Sequence, residues 1–440
     1  MLIALNSKTR QCSRGLYSKE TLTMRSTNIS VGLTAIVIVA ITMLGARAVA
    51  QQEVVLHNFG ANSKDGIGPT GTLISDSAGN LYGTTTAGGA YGGGTVFEFM
   101  PKTGGGWTQK VLHNFNPNSV DGQAPLDGLI FDASGNLYGT TEFGGPADQG
   151  TVFELLPQTG GGWAEKQLHT FSYLNNDGVN PFAGLVLDGT GNLYGMTPFG
   201  GTDAQCGTVF ELTPRAGGIW AETLLLNFSG AKGCTPFGGL TLDTAGNLYG
   251  TTLTGGPHGS TYGVVFELTP QAGGGWAETV LNNFNNTGTD CCYPYSALTF
   301  DSAGNLYGAT EGNFSTGIVG TGGTVFELKP TTGGTWIERV LYTFSDNGDY
   351  DPVAGVIFDP SGNLYGTTYN GGAYGYGAVY ELRPTTGGRW TEKVLHSFNA
   401  NGTDGQYPYA GLILDSSGNL YGTTFEGGLY GGGVLFAIKP

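Results

Sequence analysis

Five aspartates recur at one position of the sequence and could bind a metal ion. Each lies four residues before a proline, and together they are Asp65, Asp121, Asp177, Asp290 and Asp404. Carboxylate and carbonyl oxygens are the ligands that Ca²⁺ prefers, so one hypothesis is a calcium site in this loop. The alternative is a tight Asp-Gly turn, because four of the five aspartates precede a glycine and no D-x-[DN]-x-[DN]-G loop is present. We expect the turn and no cofactor, with Ca²⁺ as the alternative.

Four histidines also share one repeat position, and histidine is a common zinc ligand. They are His57, His113, His169 and His396, whereas His258 stands alone in a loop. A zinc ion needs ligand atoms at roughly 2.0–2.1 Å, and the four histidines belong to four different repeats. We therefore expect that they do not converge on one metal ion and that their role is structural.

Glutamates form two further recurring rows that could supply an acid and a base. One row comprises Glu98, Glu154, Glu211, Glu267, Glu327 and Glu381, and the other comprises Glu165, Glu222, Glu278, Glu338 and Glu392. Carboxylate pairs roughly 5–10 Å apart are the machinery of glycosidases. A catalytic site is asymmetric, whereas these residues recur in nearly every repeat. We therefore predict solvated charges at a sheet edge, some of them paired with Lys110, Lys166, Arg339 or Lys393.

Aromatic residues collect in the segments where the repeats differ most. The ligand-binding candidates among them are Tyr293, Tyr295, Tyr374, Tyr376, Tyr407, Tyr409, Phe143 and Phe199, and further rings are Tyr91, Phe182, Phe237, Tyr262, Phe314 and Tyr430. Variable loops on a rigid scaffold commonly carry function, and these rings suit stacking on sugars or contact with an extended protein. The alternative is that the rings fill gaps between neighbouring repeats.

These residues are positioned by a tandem repeat. Gly-Asn-Leu-Tyr-Gly occurs seven times, starting at residues 79, 135, 191, 246, 304, 362 and 418. Each unit contains four short runs rich in β-branched and aromatic residues, bounded by Gly, Pro, Asn or Asp, and no window shows helical periodicity. Four strands per unit predict an all-β fold, a seven-bladed β-propeller with four antiparallel strands in each blade.

The order of the strands within a blade follows from the same pattern. The run after each proline is the most apolar and predicts the innermost strand, and the run that begins with Trp predicts the outer rim. The five aspartates before proline are then expected to ring the mouth of the central channel, on the face that carries the variable loops. The turn between the first two strands contains seven repeated aspartates, which we interpret as turn residues: Asp76, Asp132, Asp188, Asp243, Asp301, Asp359 and Asp415.

The two ends of the chain are predicted to share one blade. Residues 53–59 match an outer strand without its Trp, and residues 433–438 match a third strand with no fourth strand after it. Pairing of these two segments would close the ring and remove exposed sheet edges. We therefore expect a single propeller domain over residues 51–440.

The repeat unit resembles two known families. Pro-x-x-Gly-Leu-x-x-Asp-x-x-Gly-Asn-Leu-Tyr is similar to the NHL repeat of other propellers. With Gly-Thr-Val-Phe-Glu-Leu and Gly-Gly-x-Trp added, the unit more closely resembles the GloVer tandem repeat of exported bacterial proteins, over nearly all of residues 53–440. This resemblance implies export and a repeat domain, usually followed by a C-terminal surface-sorting segment, and it implies no defined activity. The chain stops at Pro440 without such a segment, so covalent surface attachment is not expected.

The first 50 residues are predicted to be a secretory signal peptide. Arg25 precedes an apolar run from Val31 to Leu44, and residues 48–50 form an A-x-A cleavage site. The run is shorter than a membrane span requires, although an uncleaved anchor is the alternative. Met24 is an alternative start, which would leave residues 1–23 outside the protein. We expect a secreted, periplasmic or cell-surface protein with no membrane span in its mature chain.

Charge and motif content argue against several classes of function. Without residues 1–50 the chain has 12 basic and 33 acidic residues, and this excess of acid repels phosphate backbones, so a nucleic-acid partner is not expected. The sequence contains no phosphate-binding loop, no Ser-His-Asp spacing and no zinc-type ligand spacing.

Four cysteines remain after residue 50, and export would permit disulfides. Cys206 and Cys234 lie in loops that adjoin one another in a propeller, so they are predicted to form a bridge. Cys291 and Cys292 are adjacent and could form a vicinal disulfide or remain thiols. Four unpaired buried thiols are the alternative.

Three functions are compatible with the sequence. The leading hypothesis is a non-enzymatic protein that binds a glycan or an extracellular protein on the variable-loop face. The second is a polysaccharide hydrolase or lyase with acidic residues at the channel mouth, such as Asp290 or Glu311. The third is a structural cell-surface or adhesion protein. A deep pocket with mismatched carboxylates would indicate the enzyme, and a broad aromatic shelf would indicate the binding protein.

Overall fold

Seven four-stranded antiparallel sheets, the blades of a β-propeller, make up the fold. The computed structural model describes residues 52–202, 206–257, 262–285, 292–312, 322–345, 348 and 350–439, which belong to one compact unit. Within these residues the only helix is a single 3₁₀ turn, Leu174–Asn176, and none is long and apolar enough to cross a membrane. The predicted all-β, seven-bladed architecture is confirmed.

Within each blade the chain runs from the innermost strand to the rim. The first strands are Ile74–Ser75, Ile130–Phe131, Val186–Leu187, Thr241–Leu242, Thr299–Phe300, Ile357–Phe358 and Ile413–Leu414. The second strands are Leu81–Thr85, Leu137–Thr141, Leu193–Thr197, Leu248–Thr252, Leu306–Thr310, Leu364–Thr368 and Leu420–Thr424. The third strands are Thr95–Pro101, Thr151–Pro157, Thr208–Arg215, Val264–Pro270, Thr324–Pro330, Ala378–Pro384 and Val434–Lys439. The outer strands of blades one to seven are Trp107–Asn114, Trp163–Thr170, Ile219–Asn227, Trp276–Asn283, Trp336–Thr343, Trp390–Ser397 and Gln52–Asn58.

The middle glycine of each second strand makes room for its neighbours. A Cβ atom on Gly139 would lie 2.6 Å from Cζ of Phe153, on the third strand, and 3.0 Å from Leu129, just before the first. Phe153 is fully buried. The glycine therefore allows the phenylalanine ring to lie against the second strand, which explains why the repeated motif ends in Gly.

The turn between the first two strands is held by its aspartate. In blade two, Oδ1 of Asp132 accepts hydrogen bonds of 2.8 Å from the backbone N–H groups of Ser134 and Asn136. Its Oδ2 accepts hydrogen bonds from the Asn136 side chain at 2.8 Å and from the Tyr138 hydroxyl at 3.2 Å. Equivalent contacts recur at Asp76, Asp188, Asp243, Asp301, Asp359 and Asp415. The interpretation of all seven as turn residues is confirmed.

Several glutamates of the third strands are buried rather than solvated. The Tyr138 hydroxyl lies 2.9 Å from Oε1 of Glu154, which is buried, as are Glu98 and Glu381. The prediction of solvated edge charges is wrong for these three residues, because a tyrosine of the adjacent strand supplies a hydrogen-bond donor. Three of the predicted ion pairs are present, from Lys110, Lys166 and Arg339.

The hydrophobic core lies between adjacent blades. Between blades one and two, Val96 and Phe115 pack with Phe153 and Leu155, and Trp163 lies partly buried against this cluster. Equivalent clusters join the other neighbouring blades. Each blade is therefore stabilised on both faces by its neighbours, as in other repeat architectures.

Blade seven is completed by the strand at the start of the described chain. Gln52–Asn58 pairs antiparallel with Val434–Lys439, and Val54 lies opposite Ala437. Phe59, which follows this outer strand, is fully buried. The predicted closure is confirmed, and it gives all seven third strands an outer neighbour.

Candidate functional site

Two kinds of loop meet around one end of the central cavity. A proline loop leads into the first strand of each blade, and a variable loop follows the second strand. In four blades the two loops pair as short ribbons: Gly66–Ile67 with Ala87–Gly88, Gly122–Gln123 with Phe143–Gly144, Gly178–Val179 with Phe199–Gly200, and Gly405–Gln406 with Glu426–Gly427. In blade four, the backbones of Cys234 and Thr254 pair as an isolated antiparallel β-bridge. These backbone pairs fix the two kinds of loop to each other.

A disulfide joins loops of two adjacent blades. Cys206 of blade three is bonded to Cys234 of blade four, with Cα atoms 4.5 Å apart. The N–H group of Thr235 also donates a hydrogen bond of 2.9 Å to the carbonyl of Cys206. The predicted bridge is present, and Cys292 is buried. Outside the described residues lie the predicted signal peptide (1–50), Asp290, Cys291, His258 and Phe314.

The residue before the proline of each loop adopts a left-handed backbone conformation. In six blades it is not glycine, and φ lies between 53° and 60° at Ala124, Asn180, Thr235, Tyr293, Asp351 and Tyr407. The N–H of Tyr407 donates to the carbonyl of Tyr376 in the preceding blade at 2.9 Å, and its own carbonyl accepts from Phe425 at 3.0 Å. Left-handed backbone is costly for residues with a Cβ atom, so such hydrogen bonds between blades are needed to hold it.

The central cavity is narrow. It has a volume of about 90 Å³ and is lined by residues of all seven blades. Four aromatic rings at its wall, Phe182, Phe237, Tyr295 and Tyr409, each follow the proline of their loop. Pockets for organic ligands usually measure roughly 300–1,000 Å³, so a ligand of that size does not fit inside this cavity.

Aromatic rings continue from the cavity across the loop face. The rings of Phe237 and Tyr295 are stacked with centroids 5.1 Å apart. Phe182 and Phe199 meet Phe237 edge-on, at 4.8 Å and 6.4 Å. Tyr295 meets Tyr409 edge-on at 5.8 Å and accepts a hydrogen bond from its hydroxyl.

The same row of rings extends to blade six. Tyr409 meets Tyr369 at 5.9 Å, Tyr369 is stacked on Tyr407 at 5.1 Å, and Tyr407 contacts Tyr376 at 5.6 Å. We call this set of eight rings the aromatic arc: Phe182, Phe199, Phe237, Tyr295, Tyr409, Tyr369, Tyr407 and Tyr376. Blades three to seven contribute to the arc.

Acidic side chains lie close to the arc. Burial is the main reason that the pKa of Tyr295 rises to about 12, and the charges of Glu311, Asp127 and Glu142 add to the rise. Burial also raises the pKa of Glu142. The carboxylate of Asp127 accepts hydrogen bonds of 2.6 Å from the N–H groups of Gly128 and Gly184. The arc therefore combines ring faces, hydroxyl groups and carboxylates.

The structure separates the predicted binding residues into two groups. In the aromatic arc are Tyr295, Tyr376, Tyr407, Tyr409 and Phe199. Phe143 is exposed on the ribbon of blade two, Tyr293 holds a left-handed position, and Tyr374 is 61% exposed beside His396 at the rim. Tyr369 was not among the binding residues predicted from the sequence. This residue directly follows the second strand of blade six, and the variation at this position from blade to blade could have identified it.

The four recurring aspartates that the structure describes lie beside the outer strands and not at the channel mouth. Asp121 accepts hydrogen bonds of 2.8 Å from the N–H groups of Gly122 and Asn116, and Gly122 begins the ribbon strand Gly122–Gln123. Its Oδ2 lies 3.4 Å from Nε2 of His113, on the outer strand of blade one. The predicted position is wrong because only the residues near the proline reach the cavity. Asp65, Asp177 and Asp404 contact His57, His169 and His396 in the same way.

A glutamate from the next blade joins three of these His–Asp pairs. We call these sets the rim triads: His113–Asp121–Glu165, His169–Asp177–Glu222 and His396–Asp404–Glu53, in each of which one ligand-type atom per residue lies within 4.8 Å of the others. Burial raises the pKa of each glutamate to about 7, and the charge of the nearby aspartate adds to the rise. One carboxylate oxygen of Glu165 and of Glu222 is buried, so these two side chains are only partly solvated.

Comparison with known proteins places the repeat in a family. A family model described as the Gloeobacter/Verrucomicrobia repeat matches residues 42–173, 105–319 and 312–440. No curated protein matches the sequence.

Two solved structures resemble the propeller at low sequence identity. An ancestral GH74 enzyme gives a TM-score of 0.51 at 11% identity, over 85% of this chain and 48% of its own. PorZ, a surface component of the type-IX secretion system of Porphyromonas gingivalis, gives a TM-score of 0.39 at 14% identity, over 78% of this chain and 43% of its own. The match with this chain thus covers less than half the length of either protein, and at such identity the likeness concerns the fold alone.

Proposed function

The chain belongs to the Gloeobacter/Verrucomicrobia repeat family, and from this premise we propose that it is an exported, non-enzymatic propeller that binds a glycan on the aromatic arc. The family supports the repeat architecture and assigns no ligand. The observation that carries the proposal is the arc itself, in which successive rings from blades three to seven lie 4.8–6.4 Å apart.

The chemistry of the arc suits a sugar polymer. A pyranose ring has apolar C–H faces that pack on aromatic rings, and hydroxyl groups at its edge that bond tyrosine hydroxyls and carboxylates. Tyr295 and Tyr409 supply hydroxyl groups, and Glu142 and Glu311 supply carboxylates beside them. Because the acids make this face negative, neutral or cationic glycans are the expected class, and polyanionic glycans are disfavoured.

The depth of the site favours binding over catalysis. The cavity behind the arc has a volume of about 90 Å³, so a sugar ring would lie on the rings and not in an enclosed pocket. A glycosidase surrounds one scissile bond with a pair of carboxylates and excludes water from it. An open aromatic shelf holds a polymer without these features.

A glycan array with the purified protein tests the proposal. Phe199→Ala and Tyr369→Ala each remove one ring of the arc and should weaken binding of the best glycan about 3–10-fold, the value of one stacking contact. Tyr374→Ala is the matched control, since Tyr374 is an exposed ring on the same variable loop as Tyr376 but outside the arc, and it should bind like the parent. Equal effects of the three substitutions, or no binding to any neutral or cationic glycan, would reject the proposal in favour of a protein partner.

Hydrolysis of the bound glycan is the second candidate function. One observation in its favour is Glu142, because burial raises the pKa of this residue as it does in a general acid. A second is Glu311, which like Glu142 lies close to Tyr295. The same polymers should therefore be assayed for new reducing ends. Turnover that disappears in Glu142→Gln or Glu311→Gln would establish an enzyme, and binding without turnover would establish the binding protein.

A further inference from the structure

We propose that each rim triad binds one divalent transition-metal ion, such as Zn²⁺, and that the ion ties together the outer strands of two neighbouring blades. Each triad offers one imidazole nitrogen and two carboxylates. The histidine and the glutamate of a triad belong to different outer strands. These sites lie at the rim, so the inference stands independently of glycan binding on the aromatic arc.

The spacing of the donor atoms suits a single ion. Nε2 of His169 lies 3.3 Å from Oδ2 of Asp177 and 3.6 Å from Oε1 of Glu222. A tetrahedral zinc ion with bonds of about 2.0–2.2 Å holds its ligand atoms roughly 3.3–3.6 Å apart. The two other His–Asp contacts measure 3.4 Å and 3.2 Å. In every triad the three donor atoms lie within 4.8 Å of one another, so the glutamates of the other two triads need only a small side-chain movement to complete the site.

Buried atoms of the triads are left without hydrogen bonds. Oε1 of Glu53, Glu165 and Glu222 has no hydrogen-bond donor among the described residues, and Nε2 of His113 has no hydrogen-bond partner. The same oxygen of Glu278, outside the triads, also lacks a donor. A carboxylate oxygen that is removed from water and receives no donor is costly, and a second carboxylate beside it increases the cost. A metal ion between the three side chains would satisfy these atoms together.

In blade four, the glutamate at the equivalent position forms an ion pair with a lysine. There Leu226 and Lys232 stand where the triads have histidine and aspartate. Nζ of Lys232 lies 3.4 Å from Oε2 of Glu278. The chain thus supplies its own cation at a position where the other two ligands are missing.

The contact between blades seven and one shows the opposite case. His57 and Asp65 are present, but Gln109 replaces the glutamate, and its amide donates a hydrogen bond of 2.9 Å to Oδ1 of Asp65. This arrangement is satisfied without an ion. The described residues therefore contain three metal sites, and the His57 set is a natural control.

The donor set indicates the class of metal. Ca²⁺ requires six to eight oxygen ligands, whereas a mixture of imidazole and carboxylate suits Zn²⁺ and its transition-metal neighbours. Three protein ligands leave one position for water, as in open zinc sites. The Glu53–His396–Asp404 triad borders a surface cavity of about 390 Å³, through which the ion can enter.

Metal titration of untagged, chelator-treated protein tests the inference. Calorimetry with Zn²⁺ and metal analysis after gel filtration should give three ions per chain, and Co²⁺ should give visible absorption typical of coordination by nitrogen and oxygen. Glu165→Gln and Glu222→Gln should each lower the number of ions by one. Glu392→Gln, at the same repeat position but with Tyr342 in place of histidine, should not change it.

A gain of function makes the test independent of loss of folding. Gln109→Glu completes the His57–Asp65 pair and should raise the number of bound ions from three to four. Absence of Zn²⁺ binding below about 100 µM would overturn the inference and leave a shared proton as the occupant of the triads. Binding that is unaffected by the Glu165, Glu222 and Gln109 substitutions would overturn it as well.

Discussion

At the scale of single residues, the glutamates of the rim triads make stability depend on pH. In metal-free protein, burial and the charge of Asp121 raise the pKa of Glu165 to about 7. The folded state therefore holds this proton more tightly than the unfolded chain does. The contribution of the proton to the free energy of unfolding is complete below about pH 4.5 and is lost as the pH rises through 7. We predict that the free energy of unfolding falls by about 1–2 kcal/mol per triad between pH 5 and pH 8.

Urea unfolding in the presence of a chelator measures this effect. Glu165→Gln cannot ionise and should lose less stability over the same pH interval than the parent protein does. Parallel pH profiles for the two proteins would contradict the assigned pKa. An excess of Zn²⁺ should remove most of the pH dependence above pH 7, because the metal takes the place of the proton.

Some of these residues could be assigned from the sequence and others could not. The role of Asp132 was predictable, because its partners Ser134 and Asn136 lie within the same turn. The partnership of His113 with Glu165 was not, because the two belong to successive repeats. Aligned repeats place them in separate rows, and only the packing of one blade against the next brings the rows together.

At the scale of loops and strands, the left-handed residues are the least expected feature. Strands were predictable because apolar runs and turn residues recur, whereas nothing in a residue such as Thr235 indicates a φ of 59°. Left-handed backbone is particularly unfavourable for a β-branched side chain and is better tolerated by Asn, which occurs naturally at position 180. Thr235→Asn should therefore raise the free energy of unfolding by about 0.5–1 kcal/mol.

The control for this prediction introduces a threonine at the equivalent position of another blade. Ala124 has the equivalent conformation with φ of 53°, so Ala124→Thr should destabilise the protein by about 1 kcal/mol. Both variants should be compared by chemical unfolding without reductant, so that the bond between Cys206 and Cys234 stays intact. Destabilisation by Thr235→Asn would show that strain at the loop does not limit stability.

At the scale of the whole molecule, the closure of the ring was predictable and the aromatic arc was not. Closure follows from counting, since one end of the chain has an outer strand to spare and the other lacks one. The arc depends on which rings face one another across blade boundaries. Phe199 and Tyr374 occupy comparable variable loops, but Phe199 contacts Phe237 while Tyr374 lies at the rim. Composition of the loops gives no information on that difference.

Closure predicts that the first strand stabilises the entire ring. Val55 packs into the core between blades six and seven, whereas its neighbour Val54 is exposed. Val55→Asp places a charge in this core and should lower the free energy of unfolding by about 2–4 kcal/mol in a single cooperative transition, while Val54→Asp should change it by less than about 0.5 kcal/mol.

A chain that begins at residue 61 should lose stability to a similar degree and regain it when a peptide of residues 51–60 is added, since the peptide can pair with Val434–Lys439. The ring would be shown to be stable without this strand if the two valine substitutions had equal effects. The same would follow if the peptide did not change the free energy of unfolding of the truncated chain.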